Sequence, residues 1–434
     1  MSVRDRLIKG TVFNLIAVAF NQGGTLIANI LVARILMQQS FGEYAMLQTT
    51  LLTMATLSQL ATGYTAAKYI AEFRTVDPER TRRIMGVCTL VSGVMAGIAT
   101  LLLVIMAPWL SGTMLDAPHL ASALVLGAGF LFFSSINGYQ TGALAGLEAY
   151  TSLAKAGVAS GILAVVAISL GARWGGVDGA LLGLSMSAVF RFAIHYVFLR
   201  SESRILGITP KYRGSMRKEK TIILKFALPA AIAGFYSLPM IWLANTFLVQ
   251  QPNGYREMAL YSAANNLRIL VLFLPGVINS VGLSVLNNEK TKGDFNHYHR
   301  VFRSNVLYIF FITLGGAIFI GTFGRTILEL FGKDFGAGYA ILWLLLVSSI
   351  FEGTSIALYQ YVQSQAKIWL SIVGINIPRE TFLIISAYYL VQPYGGTGLA
   401  VAFLGSTILG LVCHFSLVAM LKTNARKRIG APTG

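Results

Sequence analysis

Apolar residues run through this sequence in long continuous stretches rather than alternating with polar ones. Twelve stretches stand out, at about 11–36, 41–70, 84–107, 119–146, 150–171, 177–199, 222–249, 258–286, 304–324, 336–363, 368–391 and 397–421. Each supplies the ~20 residues that an α-helix needs to cross ~30 Å of hydrocarbon. A transmembrane barrel would instead show alternation over segments of ~10 residues. The pattern therefore predicts an all-α integral membrane protein with about twelve transmembrane helices. The first stretch continues to about Leu36 with no small-residue cleavage site, so it reads as a retained helix rather than a signal peptide.

Composition agrees with the pattern. Of 434 residues, 55% are hydrophobic and 12% charged, about half the charge of a soluble domain. That excludes a soluble enzyme, a disordered chain and a single-span anchor. The net charge of +17 would suggest nucleic acid on a soluble protein, but here its distribution gives another cause. The loops alternate, one set carrying 26 of the 34 Lys and Arg residues and the opposite set five. By the positive-inside rule the basic loops and both termini are expected in the cytoplasm, and no nucleic-acid partner is expected. Cys88 and Cys413 lie in apolar runs without a CxxC or a Cys/His cluster, which indicates neither a disulfide nor a metal site. With no GxxxxGK[ST] motif in the chain, ATP is not the expected energy source, and no cofactor is expected.

The chain also repeats itself. Asn29 matches Asn245 at an offset of 216, and Tyr44 matches Tyr261 at 217. Leu153–Leu370 and Gly157–Gly374 recur at 217, and the glycine-rich stretch around Gly179 recurs around Gly398 at 219. Six spans is an even number, so two halves of six enter the membrane in the same direction and should enclose a central cavity. The expected organisation is an N-terminal half at 1–199, a basic cytoplasmic linker at 200–221, a C-terminal half at 222–421 and a basic tail at 422–434.

Several segments carry a family resemblance: VARILMQQSFGEYA (32–45), AAKYIAEFR (66–74), GALAGLEAY (142–150), GGVDGAL (175–181), LKFALPA (224–230), ALYSAANNL (259–267), LFGKDFGAGYAIL (330–342) and GGTGLAVA (395–402). With them the chain resembles the bacterial polysaccharide-export flippases of the multidrug/oligosaccharidyl-lipid/polysaccharide exporter superfamily. The resemblance implies an inner-membrane protein that moves an undecaprenyl-diphosphate-linked oligosaccharide, such as an O-antigen unit, to the periplasmic leaflet. Its partners would be that lipid-linked substrate, membrane lipid, and a polysaccharide polymerase with its chain-length proteins. Between spans two and three the sequence reads YIAEFRTVDPERTRR, which does not fit the Gly/Asp/Arg-rich motif of the major facilitator fold.

Charges inside the spans are the candidate chemistry. An arginine at mid-bilayer costs ~2.5–3.5 kcal/mol even on a lenient scale, so it faces protein or a wet cavity. Three are found, Arg191, Arg268 and Arg379, and forked guanidinium groups suit phosphate oxygens. Arg268 follows Asn265 and Asn266, in a segment resembling one where lipid flippases place a cavity arginine. Arg191 is close enough to the cytoplasmic end to snorkel instead. Glu352, mid-span ten, and Glu380, beside Arg379, are candidates for ion coupling or gating, against the plainer reading that Glu352 and Arg379 form a helix-locking pair. His195 and His414 read as packing residues. Asn21 and Asn29 in span one, with Asn245 in span seven, either glue helices or line a path for sugar hydroxyls. Arg34 and Glu43 are expected to pair at the periplasmic gate.

Two alternatives stay open. A drug or cation antiporter of the same superfamily would favour an acidic cavity. A membrane-embedded glycosyltransferase or polymerase would need a large extramembrane loop bearing carboxylates, whereas Asp116, Asp178, Glu257 and Asp334 stand singly and no DxD or HExxH occurs.

Overall fold

The computed structural model describes residues 3–212, 219, 236–292, 295–365 and 368–429, with backbone alone at 3–19, 21, 280–281, 283–285, 287–292, 295–297, 364, 368, 422 and 424–429. The described elements are helices and no strand occurs among them. In chain order they are α1 (Val3–Ser58), α2 (Thr62–Phe73), α3 (Pro78–Trp109), α4 (Ala121–Gly146), α5 (Tyr150–Ile205), α6 (Ser237–Val249), α7 (Gly254–Lys292), α8 (Phe295–Thr322), α9 (Gly324–Glu329), α10 (Tyr339–Ser364), α11 (Ile368–Ser371) and α12 (Ile377–Ile429). Single turns of 3₁₀ or π helix fill several junctions, including a π turn at Ile372–Asn376. Seven described helical stretches are long and apolar enough to cross a membrane.

Three helices are longer than any single span. At 1.5 Å per residue, the 56 residues of α1 or α5 would reach ~84 Å, against ~30 Å of hydrocarbon. Each is broken where the hydropathy places a loop: α1 at Met37 (φ 63°), α5 at Gly175–Gly176, and α12 at Gly395. Residues 171 and 179, eight apart, would lie ~12 Å apart on a continuous helix. A Cβ on Gly179 would instead lie 2.1 Å from the Gly171 carbonyl oxygen, so the chain folds back as a hairpin. Gly398 does the same against Leu390, at 2.0 Å.

The repeat is written in the backbone as well. Gly176 has φ 59° and ψ −136°, and Gly395, 219 residues later, has φ 53° and ψ −133°. These angles match the first central position of a type II′ turn, which glycine takes at little strain because it has no Cβ. The crossings Gly171/Gly179 and Leu390/Gly398 stand at the same offset of 219. Met37 and Asn253 share a positive φ, 63° and 59°, at 216.

One expected span is not continuous. Span two was expected over 41–70, but Leu60 (φ 44°) and Ala61 (φ 53°) take left-handed conformations between α1 and α2. Hydroxyls compensate for the break: Thr62 Oγ1 donates to Gln59 O (2.8 Å) and meets Ser92 Oγ at 2.8 Å. Here α2 crosses α4 backbone to backbone, since a Cβ on Gly142 would sit 2.0 Å from Gly63 O.

The chain forms two compact units, Met1–Leu238 and Pro239–Gly434. In the first, the segment after α5 is fastened to the start of α3. The Asp77 side chain caps α3 by accepting from Arg80 N at 2.8 Å, with Pro78 in the first turn. Lys211 N donates to Arg82 O (2.9 Å) and Arg82 Nε to Thr209 O (3.1 Å). Arg80 and Arg83 both reach Glu219, at 3.4 and 3.0 Å.

Candidate functional site

The second unit holds a buried ionic centre built from three helices. Arg268, on α7, donates through Nη1 to Glu352 Oε2 on α10 and through Nε to Asn265 Oδ1 at 2.9 Å. Its guanidinium lies 4.6 Å from the centre of the Phe403 ring, on α12. The side chains of Arg268 and Glu352 are only 11% and 20% exposed. A carboxylate, an amide oxygen and an aromatic face thus meet one planar cation, each using a different property of it. Asn265 is one helical turn before Arg268 on the same face, which sets the fork's angle.

This corrects the pairing weighed from sequence. Glu352 binds Arg268, not Arg379, and Arg379 Nε lies 3.6 Å from Glu380 Oε1 beside it. Glu380 is fully buried next to Arg379, on a helix that runs on without a break from the π turn at 372–376. Pro378, which has no N–H to give, follows the π turn at 372–376, a wider turn that re-satisfies the backbone ahead of it. The Arg379 stem lies across Gly410, where a Cβ would come within 3.0 Å of Cδ.

The remaining candidates do not join this centre. Arg191 is half-buried on α5, and Asn29 and Asn245 are buried in α1 and α6. The Asn21 side chain lies outside the described residues. Arg34 is exposed, and the Glu43 carboxylate expected to face it has His119 Nε2 3.4 Å from its Oε1. His195 and His414 each donate from Nδ1 to the carbonyl four residues back, Arg191 O at 2.9 Å and Gly410 O at 2.7 Å.

Sequence reasoning missed two features. Phe403 carries no polar atom and gave no signal of its own. The buried amides Asn305 and Gln360 join at 2.7 Å, and Gln360 Nε2 donates to Asn279 O at 2.6 Å, tying α7, α8 and α10 together. A search for amides inside apolar runs would have found these.

The profile of a family described as "Polysaccharide biosynthesis protein" matches residues 7–287. The inner membrane protein EpsE of EPS I polysaccharide export from Ralstonia nicotianae is 22% identical over 99% of this chain and 97% of its own. Its counterpart in Ralstonia solanacearum is also 22% identical with the same coverage. Among solved structures, an inward-facing MATE-family multidrug resistance transporter of the MOP superfamily superposes with a TM-score of 0.76 at 15% identity, over 93% of this chain and 96% of that one. A MOP-superfamily transporter from Pyrococcus furiosus gives 0.65 at 16% identity, covering 96% of both chains. The helical hairpins and their repeat thus have the MATE-like transporter fold, and with the profile match spanning well over half its length, this chain belongs to the polysaccharide biosynthesis protein family.

Proposed function

We propose that the protein is an inner-membrane flippase that carries a polyprenyl-diphosphate-linked oligosaccharide, of the undecaprenyl O-antigen type, from the cytoplasmic to the periplasmic leaflet by alternating access. Support comes from the family, from the EpsE relatives named for polysaccharide export, and from the transporter fold. The relatives are exporters and transporters, which fits a carrier and not an enzyme. Both termini and the basic loops face the cytoplasm in this reading.

The observation that carries it is the Arg268 centre. A guanidinium buried inside a bundle needs an anion, and Glu352 supplies one here. A lipid diphosphate is a stronger bidentate acceptor of the same geometry. Cargo arriving at Arg268 displaces Glu352, and Glu352 returns when the cargo leaves, so the cation is never left without a counter-charge. Arg379 and Arg191 add positive charge, and Asn29, Asn245 and Asn265 add amides suited to sugar hydroxyls.

The test is leaflet exchange of a fluorescent undecaprenyl-diphosphate oligosaccharide in proteoliposomes without ATP. The expected result is exchange well above empty liposomes, abolished by Arg268→Ala. A wild-type rate in Arg268→Ala removes the anchor from the reading. The match to a multidrug transporter favours one second reading, drug or cation antiport. Proton-driven accumulation of an organic cation, with no lipid exchange, would establish that reading instead.

A further inference from the structure

The two units place a cation at equivalent points of the repeat but supply it from opposite helices of the hairpin. In the first unit the cation is Arg191, on the second limb of α5. Its equivalent at 219 is Gly410, on the second limb of α12. Gly410 is the residue over which the Arg379 stem is laid from the first limb. The equivalent of Arg379 is in turn Ser160, which is buried at 1% exposure. Hairpin register carries Ser160 to the level of Arg191: Gly171 meets Gly179 and Ala167 meets Gly183, so each step back on one limb is a step forward on the other. One limb therefore bears arginine where the other bears a small residue, and the units have exchanged them.

The surroundings are kept while the limbs are swapped. His195 and His414 are 219 apart, and each turns Nδ1 onto the carbonyl of residue 191 or 410. Arg191 lies 15 residues from the turn at Gly176, and Gly410 lies 15 from the turn at Gly395, a depth of ~22 Å along either limb. A structural ion pair would not explain this, because it fixes a particular partner on a particular helix. What is common is a guanidinium at one depth. Arg379 still has capacity: its buried Nε makes no hydrogen bond among the described residues, and its nearest charge is the adjoining Glu380 at 3.6 Å.

We propose that each half carries an oxyanion contact of its own, Arg191 in the first and Arg379 in the second, for an anionic group of the cargo other than the one on Arg268. The inference rests on the reading of the protein as a carrier of anionic, diphosphate-linked cargo. Its chemistry is that of a phosphate or carboxylate oxygen pair, supplied by the diphosphate or by an acidic sugar.

The test moves the charge. Arg379→Ser and Arg191→Gly should each lower leaflet exchange by about ten-fold or more, the worth of one hydrogen bond to a charged group. Arg379→Ser with Gly410→Arg copies the first unit, and Arg191→Gly with Ser160→Arg copies the second. Each double variant should recover exchange to within a few-fold of wild type. Double variants that keep the wild-type melting temperature but stay as slow as the singles overturn the inference, as do singles with wild-type rates. Should a relocated arginine prevent folding, the decision passes to Lys and Gln at 191 and 379. Calorimetry with inorganic pyrophosphate and with glucuronate on the purified full-length protein is then the readout. Lys should retain binding of one of these anions and Gln lose it, the anion affected naming the source; equal binding by Lys and Gln overturns the inference. Arg268→Ala separates the two readings. Normal exchange in that variant, with losses at 191 and 379, removes the anchor and leaves this contact standing.

Discussion

At an offset of 217, Arg268 and Glu352 of the second unit correspond to Leu51 and Ser135 of the first. Leu51 is fully buried and packs on Gly127, where a Cβ would meet its Cδ1 at 2.4 Å. Ser135 donates to Leu131 O at 2.6 Å and shares a hydrogen bond with Ser58. The same arrangement of helices is thus held once by a leucine and a hydroxyl pair and once by a buried ion pair. Taking two charges out of water costs several kcal/mol each, and well-packed apolar residues often do as well or better. The first unit folds without charge at the equivalent point, so burial of an ion pair is not a general requirement of the scaffold there.

The sharpest way to break the comparison is to make the second unit copy the first. Arg268→Leu with Glu352→Ser removes both charges together, so the protein is expected to insert and melt within a few degrees of wild type while leaflet exchange falls to the empty-liposome level. Retained exchange would show the pair to be structural after all. Glu352→Gln alone should be worse for stability, lowering it by about 3–5 kcal/mol because it strands Arg268. Thermal unfolding in detergent measures this, and adding Arg268→Gln should restore the melting temperature without restoring exchange. Arg268→Lys keeps the charge but loses the fork held by Asn265, so exchange should drop by about ten-fold with little change in melting. The smallest effect is expected from Phe403→Leu. Losing one cation–π contact of about 0.5–2 kcal/mol should weaken cargo binding by a few-fold, read as the concentration giving half-maximal exchange.

Much of the fold was legible because a membrane helix announces itself by length, and the glycines at 175–176 and 395 interrupt apolar runs at places where nothing else would. The break at Leu60–Ala61 was hidden, since neither residue marks a turn and the compensation comes from Ser92, thirty positions on from Thr62. Site residues were found as isolated polar atoms, but their partners were not. Glu352 lies 27 residues from Arg379 and 84 from Arg268, and spacing along the chain does not tell which of them it meets. Which cation it meets depends on how each helix is rotated about its axis. A helix that is apolar all round has no wet side to betray that rotation. Glu43 was assigned to Arg34 instead of His119 for the same reason.

The turns at Gly176 and Gly395 bear on how the chain enters the membrane during synthesis. So few residues join the two limbs, with glycines touching backbone within two turns of the bend, that each hairpin counts as a single topological unit. Its second limb ends on the side from which its first limb starts, so an even number of crossings is added at once. Deleting a whole hairpin is therefore expected to leave every later loop on its original side, whereas deleting one limb should invert them, as cysteine labelling of those loops would read.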